Sequence, residues 1–268
     1  MRILYASHTS VISGAERTLL DLLRALPTEI EPFVACPGGE LRLALGELGI
    51  PCLGMVGTSG SLRLHAAHSS RALAETAWSA AQLRTASSRF RADVVHANSI
   101  RASLIASAAR TLLGPPIIAH LHDVLPAGRV GSTIARALAA SSRVVLANSG
   151  YTAADFRLKA GNRGRVQVVD NPVDLDRFDP CRIDATAARA RLDLPARCPL
   201  IGVIAQITPW KGQSDAIRAL AIARHRHPEL QLVISGAAKF VGPGTRYDNQ
   251  AYARLLRASP ANWAWTTP

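Results

Sequence analysis

Asp93-Val94-Val95-His96-Ala97-Asn98-Ser99 opens as a short β-branched run and closes in side chains that need hydrogen-bond partners. The same composition returns in Ile117-Ile118-Ala119-His120-Leu121-His122-Asp123 and in Arg143-Val144-Val145-Leu146-Ala147-Asn148-Ser149. Between the first two, Leu104, Ala108 and Leu112 recur at helical spacing. To the amino side stand the runs Ile3 to Ala6 and Pro32 to Ala35, separated by Leu19, Leu22, Leu23 and Leu26 on one helix face; to the carboxyl side stands Val166 to Val169. Short strands alternating with helices predict an α/β domain with a parallel sheet covered on both faces. Ligands of such sheets sit at the carboxyl ends of the strands. His96, Asn98, His120, His122, Asp123, Asn148 and Ser149 are all expected there, just past their strands.

The 268 residues exceed one average domain of roughly 150 residues. With 48% hydrophobic and 19% charged residues, the chain is globular and not disordered, collagen-like or coiled-coil. A formal net charge of +12 raises nucleic acid as a partner. The make-up of that charge argues against it. Of 31 basic residues only Lys159, Lys211 and Lys239 are lysine, beside 46 alanines, which reads as a general compositional bias. The basic residues are also dispersed, and the few Tyr and Phe form no stacking platform. One segment, residues 57–91, stands out as a long Ala-rich helical stretch with Arg63, His65, His68, Arg71, Arg84, Arg89 and Arg91 against Glu75 alone. It reads either as a solvated helix face or as a cationic surface for anionic lipid.

Cys36, Cys52, Cys181 and Cys198 fall in no metal or dithiol spacing and are expected to be reduced thiols. The start lacks a long apolar run, and no apolar stretch nears the roughly 18 residues needed to cross a bilayer. The expectation is a cytoplasmic protein, with the inner face of the plasma membrane as a peripheral site.

After Asn171-Pro172-Val173-Asp174 the alternation lapses. Residues 179–199, rich in Asp, Arg and Pro, read as a linker between a first domain, residues 1–178, and a second, residues 200–268. In the second domain Leu200 to Ile207 reads as a buried strand, Lys211 to Arg226 as a helix, Leu230 to Ser235 as a strand and Asp248 to Arg257 as a helix. Residues 259–268, SPANWAWTTP, match no element that this order demands. The second domain is therefore expected to be partial, with an open sheet edge at Leu230 to Ser235.

Two strand-to-helix turns carry further chemistry. Ser13-Gly14-Ala15-Glu16-Arg17 opens the first helix, where a glycine admits close approach of a ligand and free N–H groups favour an anion such as a diphosphate. Plain turn chemistry explains the same glycine. Gln206-Ile207-Thr208-Pro209-Trp210-Lys211-Gly212 does the same in the second half, adding a full positive charge suited to a leaving phosphate.

Taken in order, these motifs resemble glycosyltransferase family 4, retaining and metal-independent sugar transferases of the GT-B fold. Ser13 to Arg17 is similar to the family's GGAER loop, Val94 to Ser99 to its VVHxHS strand end, and His120-Leu121-His122-Asp123 to its TxHD turn. Asn148-Ser149-Gly150-Tyr151-Thr152 is similar to NSxYT, Asn171 to Asp174 with Phe178 to NGVDxxxF, and Gln206 to Gly212 to GRxxxxKG. The resemblance implies a Rossmann-like acceptor-binding domain followed by part of a Rossmann-like domain that binds a nucleotide sugar. It implies catalytic roles for His122 and Lys211, donor contacts from Ser13, Gly14, Gln206, Lys211 and Gly212, and acceptor contacts from His96, Asn98, Asp123 and Asn148. The nucleotide-diphosphate sugar would be a co-substrate with no cofactor and no metal, and the acceptor a glycan or a lipid-linked group.

The departures are specific. Gln206 stands where the family commonly has Arg, Pro172 replaces a Gly, and Ala237-Ala238 replace an acidic-glycine pair. The family's two-glutamate donor motif is missing after residue 257, which reads as a truncated donor domain. The alternatives are a catalytically inactive acceptor-binding or membrane-docking module and a related sugar-nucleotide epimerase.

Overall fold

The computed structural model describes residues 1–58, 66–110, 114–239, 241, 247–258 and 264–266. It divides into two compact units, Met1–Val173 and Asp174–Pro268.

The first unit runs β1 (Arg2–Ala6), α1 (Gly14–Arg24), β2 (Glu31–Cys36), α2 (Glu40–Glu47), β3 (Cys52–Gly54), α3 (Ala66–Phe90) and β4 (Val94–Ala97). It continues with α4 (Ile100–Ala109), β5 (Ile117–Leu121), α5 (Gly128–Ser141), β6 (Val144–Ala147), α6 (Gly150–Ala160) and β7 (Val166–Val168). Among the described residues the strands form one parallel sheet in the order β3-β2-β1-β4-β5-β6-β7. The winding reverses between β1 and β4, and at such a switch point the loops diverge and leave a crevice.

Period-two alternation in β1 explains the two layers. Leu4 and Ala6 join Ala35, Val95, Ala97 and Ile105 in a core with Leu83 of α3. Tyr5, one residue out of phase, joins Val34, Leu19 and Leu23 of α1 and Leu41 and Leu45 of α2. A third cluster packs Leu121 and Val145 against Leu138 of α5 and Phe156 of α6. Asp155 accepts the Leu125 N–H at 3.0 Å, and Lys159 Nζ donates to the Leu125 carbonyl at 2.7 Å, so one helix turn of α6 fixes the loop after β5. β3 is too short for periodicity to reveal, and it adds a strand beyond those expected. His96 and His120 lie inside their strands, not past them: His96 pairs with Tyr5 and Ile118, and His120 with Leu146. Of the basic 57–91 segment, Arg63 and His65 lie outside the described residues, as do the side chains of His68 and Arg71. Leu112, expected on the helix after β4, also lies outside them.

The second unit holds a 3-10 turn (Pro180–Arg182), α7 (Ala185–Arg191), β8 (Leu200–Ile204), a second 3-10 turn (Pro209–Lys211), α8 (Gln213–Ala223), β9 (Gln231–Ser235), α9 (Asn249–Arg257) and β10 (Ala264–Thr266). Ile207, Ile217, Leu220, Leu232, Ile234, Tyr252 and Leu256 form its core. Four expectations change here. The stretch read as a linker contains α7, started by Asp184, whose carboxylate accepts the Thr186 and Ala187 N–H groups. The strand expected to be buried over Leu200 to Ile207 ends at Ile204 and pairs on one side only among the described residues, leaving Ile201 44% and Ile204 87% exposed. The helix expected from Lys211 begins at Gln213, because Gly212 takes a left-handed φ of 73° that breaks the preceding turn. The tail expected to match no element supplies β10, which pairs in parallel with Val233 to Ser235. The β9 edge expected to be open is therefore covered, consistent with the strand preference of Trp and Thr.

Gly131 lies on the turn of α5 that faces the β5 exit, and a Cβ there would sit 1.8 Å from the Pro126 carbonyl oxygen. Gly131→Ala is expected to lower stability by about 1–3 kcal/mol in urea unfolding. Gly150→Ala, where a Cβ meets nothing within 4 Å, should be neutral or stabilising by up to about 1 kcal/mol.

Candidate active site

The switch point is bridged by polar side chains. Asn98, the first residue beyond β4, donates its backbone N–H to the Ala6 carbonyl at 2.9 Å, which continues the sheet for one more step. Its side-chain Nδ2 donates to the Ala15 carbonyl at 3.0 Å, tying the exit of β4 to the first turn of α1. That turn is closed from inside by Glu16, which is 1% exposed and whose Oε2 accepts the Ser13 N–H at 3.1 Å and the Ser13 hydroxyl at 2.5 Å. Around Gly14 a Cβ would meet nothing within 4 Å. Packing therefore does not require the glycine, and the outer side of the turn is open to an approaching group.

His122 stands opposite. Its Nε2 lies 3.1 Å from Asn98 Oδ1, and its carbonyl accepts Asn148 Nδ2 at 2.9 Å. Asn148 Oδ1 in turn accepts the Thr152 hydroxyl at 2.9 Å, so α6 holds the loop that carries His122. The Asn98 amide nitrogen is committed to Ala15, so Oδ1 faces His122 and requires a donor there. The imidazole then carries its proton on Nε2 and presents a lone pair on Nδ1. Nδ1 is buried and meets no partner at hydrogen-bonding geometry. Burial, then the neighbouring His120, pushes the His122 pKa down to about 3, and the Asn171 side chain only partly opposes the shift. Such a nitrogen is a hydrogen-bond acceptor for a hydroxyl, not a strong base.

Behind His122 the histidines continue. The His120 ring lies 4.1 Å from the His122 ring, and His120 Nδ1 lies 3.2 Å from His96 Nε2. His96 packs on Tyr5 with ring centroids 5.1 Å apart. Burial lowers His96 to about 3 and His120 to about 4. The structure thus gathers Ser13, Gly14, His96, Asn98, His122 and Asn148 at one switch point. His96 makes its contacts within the sheet layer, and Asp123 is exposed and ion-paired with no described residue. Among the described residues no three His, Cys, Asp or Glu side chains converge as metal ligands.

In the second unit Gln206, Lys211 and Gly212 lie on one turn. Gln213, fully buried, donates to the Gln206 carbonyl at 2.8 Å. The Lys211 ammonium sits 4.0 Å from the Trp210 ring centroid, a cation–π contact that holds an otherwise exposed charge. Sequence reasoning passed over Glu16, Gln213 and Trp210. The serine-to-glutamate spacing of a capping box was there to mark Glu16; nothing local marks Gln213.

A doubly wound sheet with a polar switch point, followed by a second strand-helix unit, is the architecture of the GT-B glycosyltransferases. The chain belongs to Glycosyltransferase Family 4, whose family model matches residues 12–177. A D-inositol 3-phosphate glycosyltransferase of Salinispora arenicola is 29% identical over 209 residues, 68% of this chain and 45% of that protein. A GDP-mannose-dependent alpha-(1-6)-phosphatidylinositol monomannoside mannosyltransferase of Mycolicibacterium smegmatis is 32% identical over 126 residues, 46% of this chain and 32% of that protein. The chain thus spans less than half the length of these relatives. In fold it is similar to Anabaena HepE, whose crystal structure holds UDP-glucose, with a TM-score of 0.73 at 22% identity over 100% of this chain and 69% of that one.

His96, His120 and His122 are neutral when folded, whereas the unfolded chain takes up protons near pH 6.5. Below 6.5 the unfolded state binds more protons, so stability rises with pH and is complete above about 6.5. Urea unfolding should show stability falling from pH 6.5 toward 4.5, each histidine adding up to about 1.4 kcal/mol per pH unit. His120→Asn should flatten the slope; a slope unaltered by that change contradicts the assignment.

Proposed function

We propose that this chain carries the acceptor site and part of the donor site of a glycosyltransferase. It would move a sugar from a nucleoside-diphosphate sugar to a hydroxyl of a glycan or lipid-linked acceptor, with retention at the anomeric carbon. The observation that carries this reading is the orphaned His122 Nδ1, an acceptor nitrogen at the switch point beside the open turn at Gly14. A sugar or acceptor hydroxyl satisfies it, whereas a phosphate alone would not.

The remaining roles follow from charge. In a dissociative transfer the departing diphosphate gains negative charge, and Lys211 with the N–H groups at the start of α1 would meet it. The reaction as proposed needs no metal and no cofactor beyond the nucleotide sugar. Gln206 offers a neutral amide where an arginine would add a second cation, so Lys211 carries more of that duty. Asn98 and Asn148 would hold His122 in place, with Ser13 and Gly212 shaping the two donor-side turns and Asp123 and His96 completing the acceptor side. Relatives named for GDP-mannose and a fold neighbour solved with UDP-glucose make those two donors the first to test.

A second reading, an acceptor-binding module that docks on anionic lipid, is favoured by one feature. Leu83, Val95, Ala106 and Ile117 floor a cavity of about 540 Å³ at the amino ends of β4 and β5, and Arg84, Arg89, Arg91 and Arg110 rim it. Among the described residues no helix is long and apolar enough to cross a membrane.

Incubation with UDP-glucose and GDP-mannose, read by nucleotide release and by the anomeric proton of the product, should show turnover. His122→Ala and Lys211→Ala should each lower kcat/KM by about 10²-fold or more. Binding of neither nucleotide sugar would overturn the transferase reading. For the second reading, sedimentation with phosphatidylglycerol vesicles should fall several-fold in the Arg84→Ala, Arg89→Ala, Arg91→Ala triple variant, and unchanged sedimentation rejects it.

A further inference from the structure

Beyond Asn98 the same rim carries a group of donors that nothing accepts. Arg101, in the first turn of α4, is half-buried, and burial pulls its pKa down. Its Nη1 makes one long contact, 3.5 Å, with the Thr58 carbonyl, and among the described residues no carboxylate pairs with it. Ser99 Oγ accepts the Ala102 N–H at 3.0 Å and lies 2.9 Å from His8 Nδ1. Giving the Ser99 proton to that contact places the His8 N–H on Nε2. His8 stays neutral, because burial and then the Arg101 charge lower its pKa to about 3. Thr58 Oγ1 is sealed from solvent without a hydrogen-bond partner, while the Thr58 N–H donates to the His8 carbonyl at 3.2 Å. The cluster is built tightly: at Gly57, with φ of 73°, a Cβ would lie 2.5 Å from the His8 carbonyl oxygen.

A guanidinium stays charged, and half-burying it with no counter-ion is unfavourable unless something restores the balance. Everything the cluster offers is a donor: the Arg101 fork, a His8 N–H and the Thr58 hydroxyl. A neutral sugar also needs acceptors for its own hydroxyls, whereas an oxyanion needs donors only. We propose that Arg101, His8 and Thr58 form a subsite for an oxyanion, a phosphate monoester or a carboxylate, carried by the acceptor substrate. Assigning the anion to the acceptor rests on the glycosyl-transfer reading above. Asn98 and Ser99 connect the two places, since Asn98 contacts His122 and the adjacent Ser99 contacts His8. The reacting hydroxyl would then meet His122 while the anionic group is held by Arg101.

Calorimetric titration of the full chain with inorganic phosphate, and separately with glucuronate, tests this. Saturable binding of at least one probe is expected, weakened about tenfold or more in Arg101→Gln and less in Thr58→Val, each with an unchanged circular dichroism spectrum. Binding that survives Arg101→Gln, or no saturable binding of either probe, overturns the subsite. Competition by UDP for the phosphate site would give the subsite to the donor diphosphate and also overturn it. If no nucleotide sugar is turned over yet Arg101-dependent phosphate binding persists, the transferase reading fails and the oxyanion subsite stands.

Discussion

The Asn98 side chain is the constraint on which the first unit's site depends. Its amide nitrogen is spent on the Ala15 carbonyl and its oxygen on His122, so one planar group spans the place where the sheet reverses its winding. The order matters because an amide cannot exchange its two ends without putting N–H against N–H and oxygen against oxygen. Fixing the amide fixes the His122 tautomer, and the tautomer decides that Nδ1 is an acceptor. The chemistry of the crevice is thereby set by a hydrogen bond to a helix backbone more than 80 residues earlier in the chain.

That constraint works only in a dry setting. Tyr5, His96, His120 and His122 form a run of rings through the sheet layer, and burial holds the three imidazoles neutral. A protonated ring here would lose its solvation and face its neighbours' charge. The run therefore ties the polar site to the folded state, and it does so at a cost in acid. Leucines would pack the same volume with no pH dependence, but none could leave a lone pair at the crevice.

Much of the first unit was legible because its signals are local and repeat. Leu4, Tyr5 and Ala6 alternate between two cores, and Leu19 and Leu23 share the helix face that covers one of them. Boundaries were less legible: His96 and His120 each sit inside their strands, since a pairing register is decided by neighbours and not by the run itself. β3 and β10 escaped for the same reason, as three-residue strands have no period to read. At the site, His122 and Asn98 could be picked out by their position after a strand. Arg101 and His8 could not, because their closeness comes from β1 lying beside β4, a fact of topology separated by more than 90 residues of sequence.

The basic character of the chain looks different once its cations are located. Most arginines lie on the surface, where a charge is solvated and says little about partners. Arg101 and Lys211 differ in kind. Arg101 is half-buried without a counter-ion, and Lys211 is held against Trp210 at the turn before α8. A solvated cation can be lost to drift at small cost, but a half-buried one destabilises the fold unless an anion comes to it. Position and solvation, more than the formal total of +12, mark the cations that have work to do.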